Sequence, residues 1–137
     1  MGKILLVEDS KFLRLTTERA LGRAGHEVIT ACDGDQAIAM AQEHLPDLIV
    51  LDMLLPKKTG PEVLKILKQS EATAKIPIVV FTSLSQINAT RLQADGATAF
   101  LEKSITSDRG PEELMTALQE LVKGLISPKK SAASGGR

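Results

Sequence analysis

Five short apolar runs recur along the chain, at residues 4–7, 28–31, 48–51, 76–81 and 98–101, each of strand length and rich in Val, Ile or Leu. Several are continuous instead of alternating, the pattern of strands covered on both faces. Between them the apolar positions change to helical spacing: Val63, Leu64 and Leu67, then Leu114, Ala117, Leu118, Leu121 and Leu125. Gly22 and Gly25 punctuate the end of a first helix and Asp33-Gly34 turns into a second. Pro111-Glu112-Glu113 opens the last with an early proline and first-turn acids. Strand then helix, five times over, predicts a five-stranded parallel sheet with right-handed crossovers and five helices on its two faces. The fold class is a doubly wound α/β sandwich. Periodicity leaves the strand order open between the flavodoxin-like 2-1-3-4-5 and a Rossmann half.

The 137 residues suffice for one core, and 43% hydrophobic with 25% charged residues is the balance of an ordinary soluble globule. Residues 1–126 are read as that domain. Residues 127–137 are polar, small and without periodicity, and are expected to be a disordered basic tail. No second domain, and so no DNA-binding output module, is predicted. Three Phe and neither Trp nor Tyr leave almost no stacking platform for bases or a flavin. Seventeen basic against 17 acidic residues give no pull toward a polyanion. The zero conceals an asymmetry, since Lys129, Lys130 and Arg137 meet no acid in the tail and leave the rest of the chain acidic. The apolar start, Lys3-Ile4-Leu5-Leu6-Val7, is too short for a signal peptide or a membrane span, which makes the cytoplasm the expected compartment. Cys32 is the lone cysteine and is read as a small buried hydrophobe.

In a parallel sheet of this kind ligands bind beyond the carboxyl ends of the strands. There the sequence places Glu8-Asp9, Asp52, Thr82 and Lys103. Carboxylates within a few ångströms repel by a few kcal/mol at an effective dielectric of about 20, unless one is protonated or a cation intervenes. A hard divalent cation such as Mg²⁺ resolves the conflict, because it takes one or two carboxylates, keeps water, and leaves positions for phosphate oxygens. Lys103 can then neutralise an added phosphoryl group, Thr82 can donate a hydroxyl to it, and Asp52 is the natural nucleophile for an acyl phosphate. His26 and His44 lack ligand spacing and are read as solvated or satisfied. Asp33 and Asp35 are read as turn and cap residues.

Four motifs in order, Val7-Glu8-Asp9-Ser10, Asp52-Met53-Leu54-Leu55-Pro56 with Gly60, Phe81-Thr82-Ser83 and Phe100-Leu101-Glu102-Lys103, resemble a stand-alone receiver domain of a two-component response regulator. The likeness to this chemotaxis-receiver family runs over residues 3–123. It implies the strand order 2-1-3-4-5 and a phosphoacceptor signalling protein rather than an enzyme. It further implies that Asp52 takes a phosphoryl group from a histidine kinase or phosphotransfer protein. Asp9 would bind Mg²⁺ (or Mn²⁺) directly, Glu8 through water, and the backbone carbonyl of Leu54 would join Asp52 among the metal's ligands. Lys103 would pair with the phosphate, Thr82 would move toward it, and Phe100 would swing inward as the aromatic switch. Ser83, being small, would keep the site accessible. The face made by residues 85–95, 98–101 and 111–125 would then engage a downstream protein, or a second copy in a phosphorylation-dependent homodimer.

Departures from the family pattern carry expectations of their own. Ser104 stands where the family has proline, and a cis bond before serine costs about 2.5–4 kcal/mol against 0.5–1 before proline, so a trans bond is expected. The loop 104–110 is longer than the family's. Leu54 and Leu84 can orient no attacking water, which predicts slow hydrolysis of the phosphoryl group. Leu54 also argues against a phosphoaspartate hydrolase, which needs a carboxylate there. Glu8-Asp9 argues against a flavin carrier, whose phosphate it would repel. The remaining alternative is a receiver-like interaction module that works without phosphorylation.

Overall fold

The computed structural model describes residues 2–53, 55–82, 94–102 and 111–135. The elements follow one another as β1 (Lys3–Val7), α1 (Lys11–Arg23), β2 (Glu27–Ala31), α2 (Gly34–His44), β3 (Leu48–Leu51), α3 (Gly60–Gln69), β4 (Ile78–Thr82), β5 (Ala99–Glu102) and α4 (Pro111–Gly135). Their strands form one parallel sheet in the order β2-β1-β3-β4-β5. The doubly wound class and the 2-1-3-4-5 order are thus observed. Four helices are described, and the fourth of the five predicted, over residues 85–95, falls almost wholly outside the described residues.

The continuous apolar runs have a direct cause. Leu5 and Val7, Ile49 and Leu51, and Ile78 and Val80 point to one side of the sheet, where Ala37 and Ala41 of α2 and Val63, Leu64 and Leu67 of α3 cover them. Ile4 and Leu6, Leu48 and Val50, and Val79 and Phe81 point to the other side, under Ala20 and Leu21 of α1 and Leu114, Leu118, Val122 and Ile126 of α4. Every position of β3, and all of β1 after Lys3, thus faces a core, and each large aliphatic side chain so buried contributes about 1.5–3 kcal/mol. β2, an edge strand with a neighbouring strand on one side only, stays half-exposed along most of its length.

Local chemistry sets the boundaries. Ser10 caps α1, its hydroxyl accepting from the Leu13 N–H, and Asp33 caps α2, its carboxylate accepting from Gln36 at 2.7 Å. Thr59 and Glu62 form a reciprocal capping box at the start of α3. Of the two punctuating glycines, Gly25 is the stop, at φ 100, whereas Gly22 lies inside α1. The fourth strand begins at Ile78 and not at residue 76, because Pro77 has no N–H to offer a ladder and gives only its carbonyl, to Ile49 at 3.0 Å. Ile126, the last α4 side chain described, is buried beside Gly2. Beyond it the helical backbone continues through residues 127–135, where the sequence predicts a disordered tail.

Candidate functional site

The reversal of strand order lies between β1 and β3, the place where doubly wound sheets open a crevice at their carboxyl ends. Val7 of β1 pairs with Leu51 of β3, so Glu8 and Asp52 leave the sheet side by side. The Asp52 N–H donates to the Val7 carbonyl at 3.1 Å and the Glu8 N–H to Ala31 at 3.0 Å, which fixes both backbones to the strand ends. Both side chains are buried, with Glu8 2% and Asp52 5% exposed, although neither belongs to an apolar cluster. Asp9, next along the chain, is exposed at the rim.

The turn that carries the first two carboxylates is braced by Ser10, which ends the first motif, and by Arg14, which no motif singled out. The Ser10 N–H donates to the Glu8 carboxylate at 3.1 Å, and the Arg14 guanidinium donates to the Glu8 carbonyl at 2.9 Å and the Asp9 carbonyl at 3.3 Å. An arginine one helical turn after a capping serine can reach back in this way, so the signal was present in the spacing. Thr82 ends β4, and the Leu51–Val80 register places it one residue beyond the level of Asp52. Phe100, beside Val80 on the edge strand β5, is 38% exposed while the comparable Phe81 is fully covered. β5 ends at Glu102, the residue before Lys103. Lys103 itself, Leu54, Ser83, Leu84 and the Lys103–Ser104 bond lie outside the described residues.

The segment after Asp52 is held from two sides. The Gly60 N–H donates to the Met53 carbonyl at 3.0 Å, and Met53 and Leu55 are both buried. Lys58 pairs with Asp35 of α2 at 3.2 Å. Cys32 is half-buried instead of fully buried, and its thiol donates to the Gln36 side chain at 3.4 Å. His26 accepts from the Gly2 N–H through Nδ1 at 3.3 Å, a satisfied histidine as the sequence suggests.

The donor chemistry at the strand ends is all oxygen. Among the described residues no group of three or more His, Cys, Asp and Glu is arranged to hold a metal ion. Side chains among the described residues therefore build no closed cage of the zinc kind. Two buried carboxylates with carbonyls and water suit a hard ion that keeps much of its hydration. No helix among the described residues is long and apolar enough to cross a membrane.

Comparison with known proteins agrees with this geometry. The family model of the response regulator receiver domain matches residues 4–119. The polar-differentiation response regulator DivK of Brucella ovis is 31% identical over 116 residues, 84% of this chain and 94% of that protein. The Mn²⁺-bound form of response regulator Rcp1 superposes with a TM-score of 0.77 at 32% identity, covering 90% of this chain and 93% of that one. The chain spans about half the length, or less, of other curated relatives. One is the probable transcriptional regulator ycf27 of Cyanophora paradoxa, 33% identical over 134 residues, 96% of this chain and 53% of that protein. With strand order, acidic strand ends and family match in agreement, the chain belongs to the response regulator receiver domain family.

Proposed function

We propose that this chain is a signalling phosphoacceptor in which Asp52 takes a phosphoryl group from the phosphohistidine of a kinase or phosphotransfer protein. The observation that carries the reading is the pair of buried carboxylates, Glu8 and Asp52, at the ends of the two central strands, where they serve no core. An Asp52 carboxylate oxygen attacks phosphorus, the P–N bond breaks, and the electron pair leaves with the imidazole nitrogen, giving an acyl phosphate.

Asp9, Asp52 and the backbone carbonyl of Leu54 would hold Mg²⁺, with Glu8 acting through water. When bound, that ion screens the carboxylates from one another and offsets the charge of the incoming phosphate. The response regulator Rcp1, to which this chain is similar, has a Mn²⁺-bound form. Lys103 pairs with the transferred group, Thr82 donates its hydroxyl to it, and Phe100 follows Thr82 inward. The partial exposure of Phe100 on an edge strand supports this role. The output is a change of the face made by residues 85–95, 98–101 and 111–125, read by a downstream protein or by a second copy of the chain. The Leu54 and Leu84 side chains favour a slowly lost phosphoryl group.

Incubation with Mg²⁺ and acetyl phosphate tests the reading. Wild type is expected to gain the mass of one phosphoryl group, and Asp52→Asn is expected to gain nothing. An unlabelled wild type would replace this reading with that of an interaction module independent of phosphorylation.

A further inference from the structure

The carbonyls of Glu8 and Asp9 lie between β1 and α1, outside both regular elements, and a part-buried carbonyl needs a donor. They share one, the Arg14 guanidinium, whose Nη1 reaches them at 2.9 and 3.3 Å. The reach follows from the helix. The Arg14 N–H donates to the Ser10 carbonyl at 2.8 Å, and a helical side chain leans toward the N-terminus, so a long one at this position overhangs the turn before the cap. A guanidinium is always charged, and its bonds to carbonyls are charge-assisted.

The two acids depend on this grip unequally. Glu8 has further anchors, its N–H on the Ala31 carbonyl at 3.0 Å and its carboxylate under the Ser10 N–H at 3.1 Å. Asp9 is exposed, and its carboxylate takes no hydrogen bond among the described residues, so its place is set through its own backbone. Beyond Asp52 the chain is secured otherwise: Lys57 stands in a left-handed turn at φ 70, and Gly34 of α2 lies so close that a Cβ on it would stand 2.3 Å from the Lys58 carbonyl oxygen. No residue of 8–10 has a positive φ, so the turn between β1 and α1 owes its shape to hydrogen bonds and not to strain, and Arg14 supplies two of them.

We propose that Arg14 is a positioning residue for the divalent cation: by gripping the Glu8 and Asp9 carbonyls it fixes the backbone from which the Asp9 carboxylate reaches Mg²⁺. The inference rests on the metal ligation within the phosphoacceptor reading above and names a residue outside the acidic centre that sets its metal affinity. Charge alone would act in the opposite direction. A positive side chain beside a cation site repels the cation, so removal of an Arg14 that worked only by charge would strengthen Mg²⁺ binding, whereas removal of a brace weakens it.

Calorimetric titration of the whole chain with Mg²⁺ alone, beside thermal unfolding and labelling by acetyl phosphate over a range of Mg²⁺, tests the proposal. Acetyl phosphate needs no docking surface, so labelling reports on the site and not on a partner's hold on α1. Arg14→Met is expected to weaken Mg²⁺ binding by about tenfold or more, the usual effect of removing a group that orients a metal ligand. Its labelling rate should approach that of wild type once Mg²⁺ is saturating. Arg14→Lys keeps the charge on a side chain one bond shorter and should recover only part of the affinity. Asp9→Asn should weaken binding at least as much as Arg14→Met, and the double variant should match Asp9→Asn within about twofold, since the brace works through that carboxylate. An Arg14→Met chain that is less stable yet binds Mg²⁺ as tightly as wild type, or more tightly, would make Arg14 merely structural and overturn the proposal. Losses that multiply in the double variant overturn it too, because the effect would then bypass Asp9. If Arg14→Met does not fold, Arg14→Lys decides, and wild-type affinity there overturns the proposal equally. A wild type that binds Mg²⁺ but accepts no phosphoryl group, with the variants weakened as stated, would remove the phosphoacceptor reading and support the brace.

Discussion

Replacing Gly60 by alanine puts one methyl group where the chain leaves no room. Its Cβ would stand 2.4 Å from the Met53 Cα, 2.6 Å from the Asp52 carbonyl oxygen and 2.7 Å from the Met53 Cε. The methionine tip can turn away, but the other two atoms are backbone. Ordinary contact begins at 3.4 Å, so the Asp52–Met53 segment must retreat by about an ångström, an overpacking that costs about 1–3 kcal/mol. The same movement strains the 3.0 Å bond from Gly60 to the Met53 carbonyl, a contribution of about 1 kcal/mol. Better helix propensity returns at most about 1 kcal/mol at this first position of α3. The expected result is a loss of about 1–3 kcal/mol in urea unfolding followed by circular dichroism, since the chain has no Trp or Tyr to report by fluorescence. Because the displaced backbone carries Asp52, the initial rate of labelling by acetyl phosphate should fall by about tenfold or more. Gly124→Ala is the control: nothing lies within 4 Å of its Cβ, and helix propensity alone should stabilise the chain by up to about 1 kcal/mol. A Gly60→Ala chain within about 0.5 kcal/mol of wild type and labelled at the wild-type rate would refute the steric reasoning.

Three further outcomes are expected. The Thr17 hydroxyl is fully buried with no hydrogen-bond partner among the described residues, so Thr17→Val should raise stability by about 1 kcal/mol in the same urea assay. Lys57→Gly removes the penalty of the left-handed turn and should stabilise by about 0.5–1 kcal/mol after the greater freedom of the unfolded chain is counted. The Lys68 ammonium donates to the Ala74 carbonyl at 2.9 Å and the Ile76 carbonyl at 2.8 Å, fastening the end of α3 to the approach to β4, and Lys68→Met should cost about 1–2 kcal/mol. Burial holds the Lys68 pKa below the ordinary 10.5, so between that lowered value and 10.5 the unfolded chain binds more protons. Wild-type stability relative to Lys68→Met should therefore rise as pH climbs through this window, and a flat difference would count against the burial.

The strands show how far local pattern reaches. Residues 48–51 are delimited correctly because all four are apolar and both neighbours in the chain are not. The 76–81 run is misplaced at its start because Ile76 is buried without belonging to the sheet, and Pro77 withholds a ladder donor. Asp33-Gly34 as the entry to α2 and Gly25 as a stop depend on neighbours within a few residues and are visible in one dimension, although the cap is Asp33 itself and Asp35 lies inside the first turn. The burial of Glu8 beside an exposed Asp9 is not, since two adjacent acids differ only once β1, β3 and the turn braced by Arg14 are assembled.

The sequence by itself determined the alternation of elements, the two-sided sheet, and the convergence of acidic residues on one edge, because period and polarity are properties of short stretches of chain. Tertiary structure alone decided that Gly34 must lack a side chain and that Lys57 is held in a left-handed turn. Gly34 meets Lys58 across 24 residues, at a distance set by how α2 and α3 pack on the sheet. Steric exclusion between remote backbones leaves no trace in hydrophobic spacing, and a glycine demanded by space reads in the sequence like any glycine at a turn.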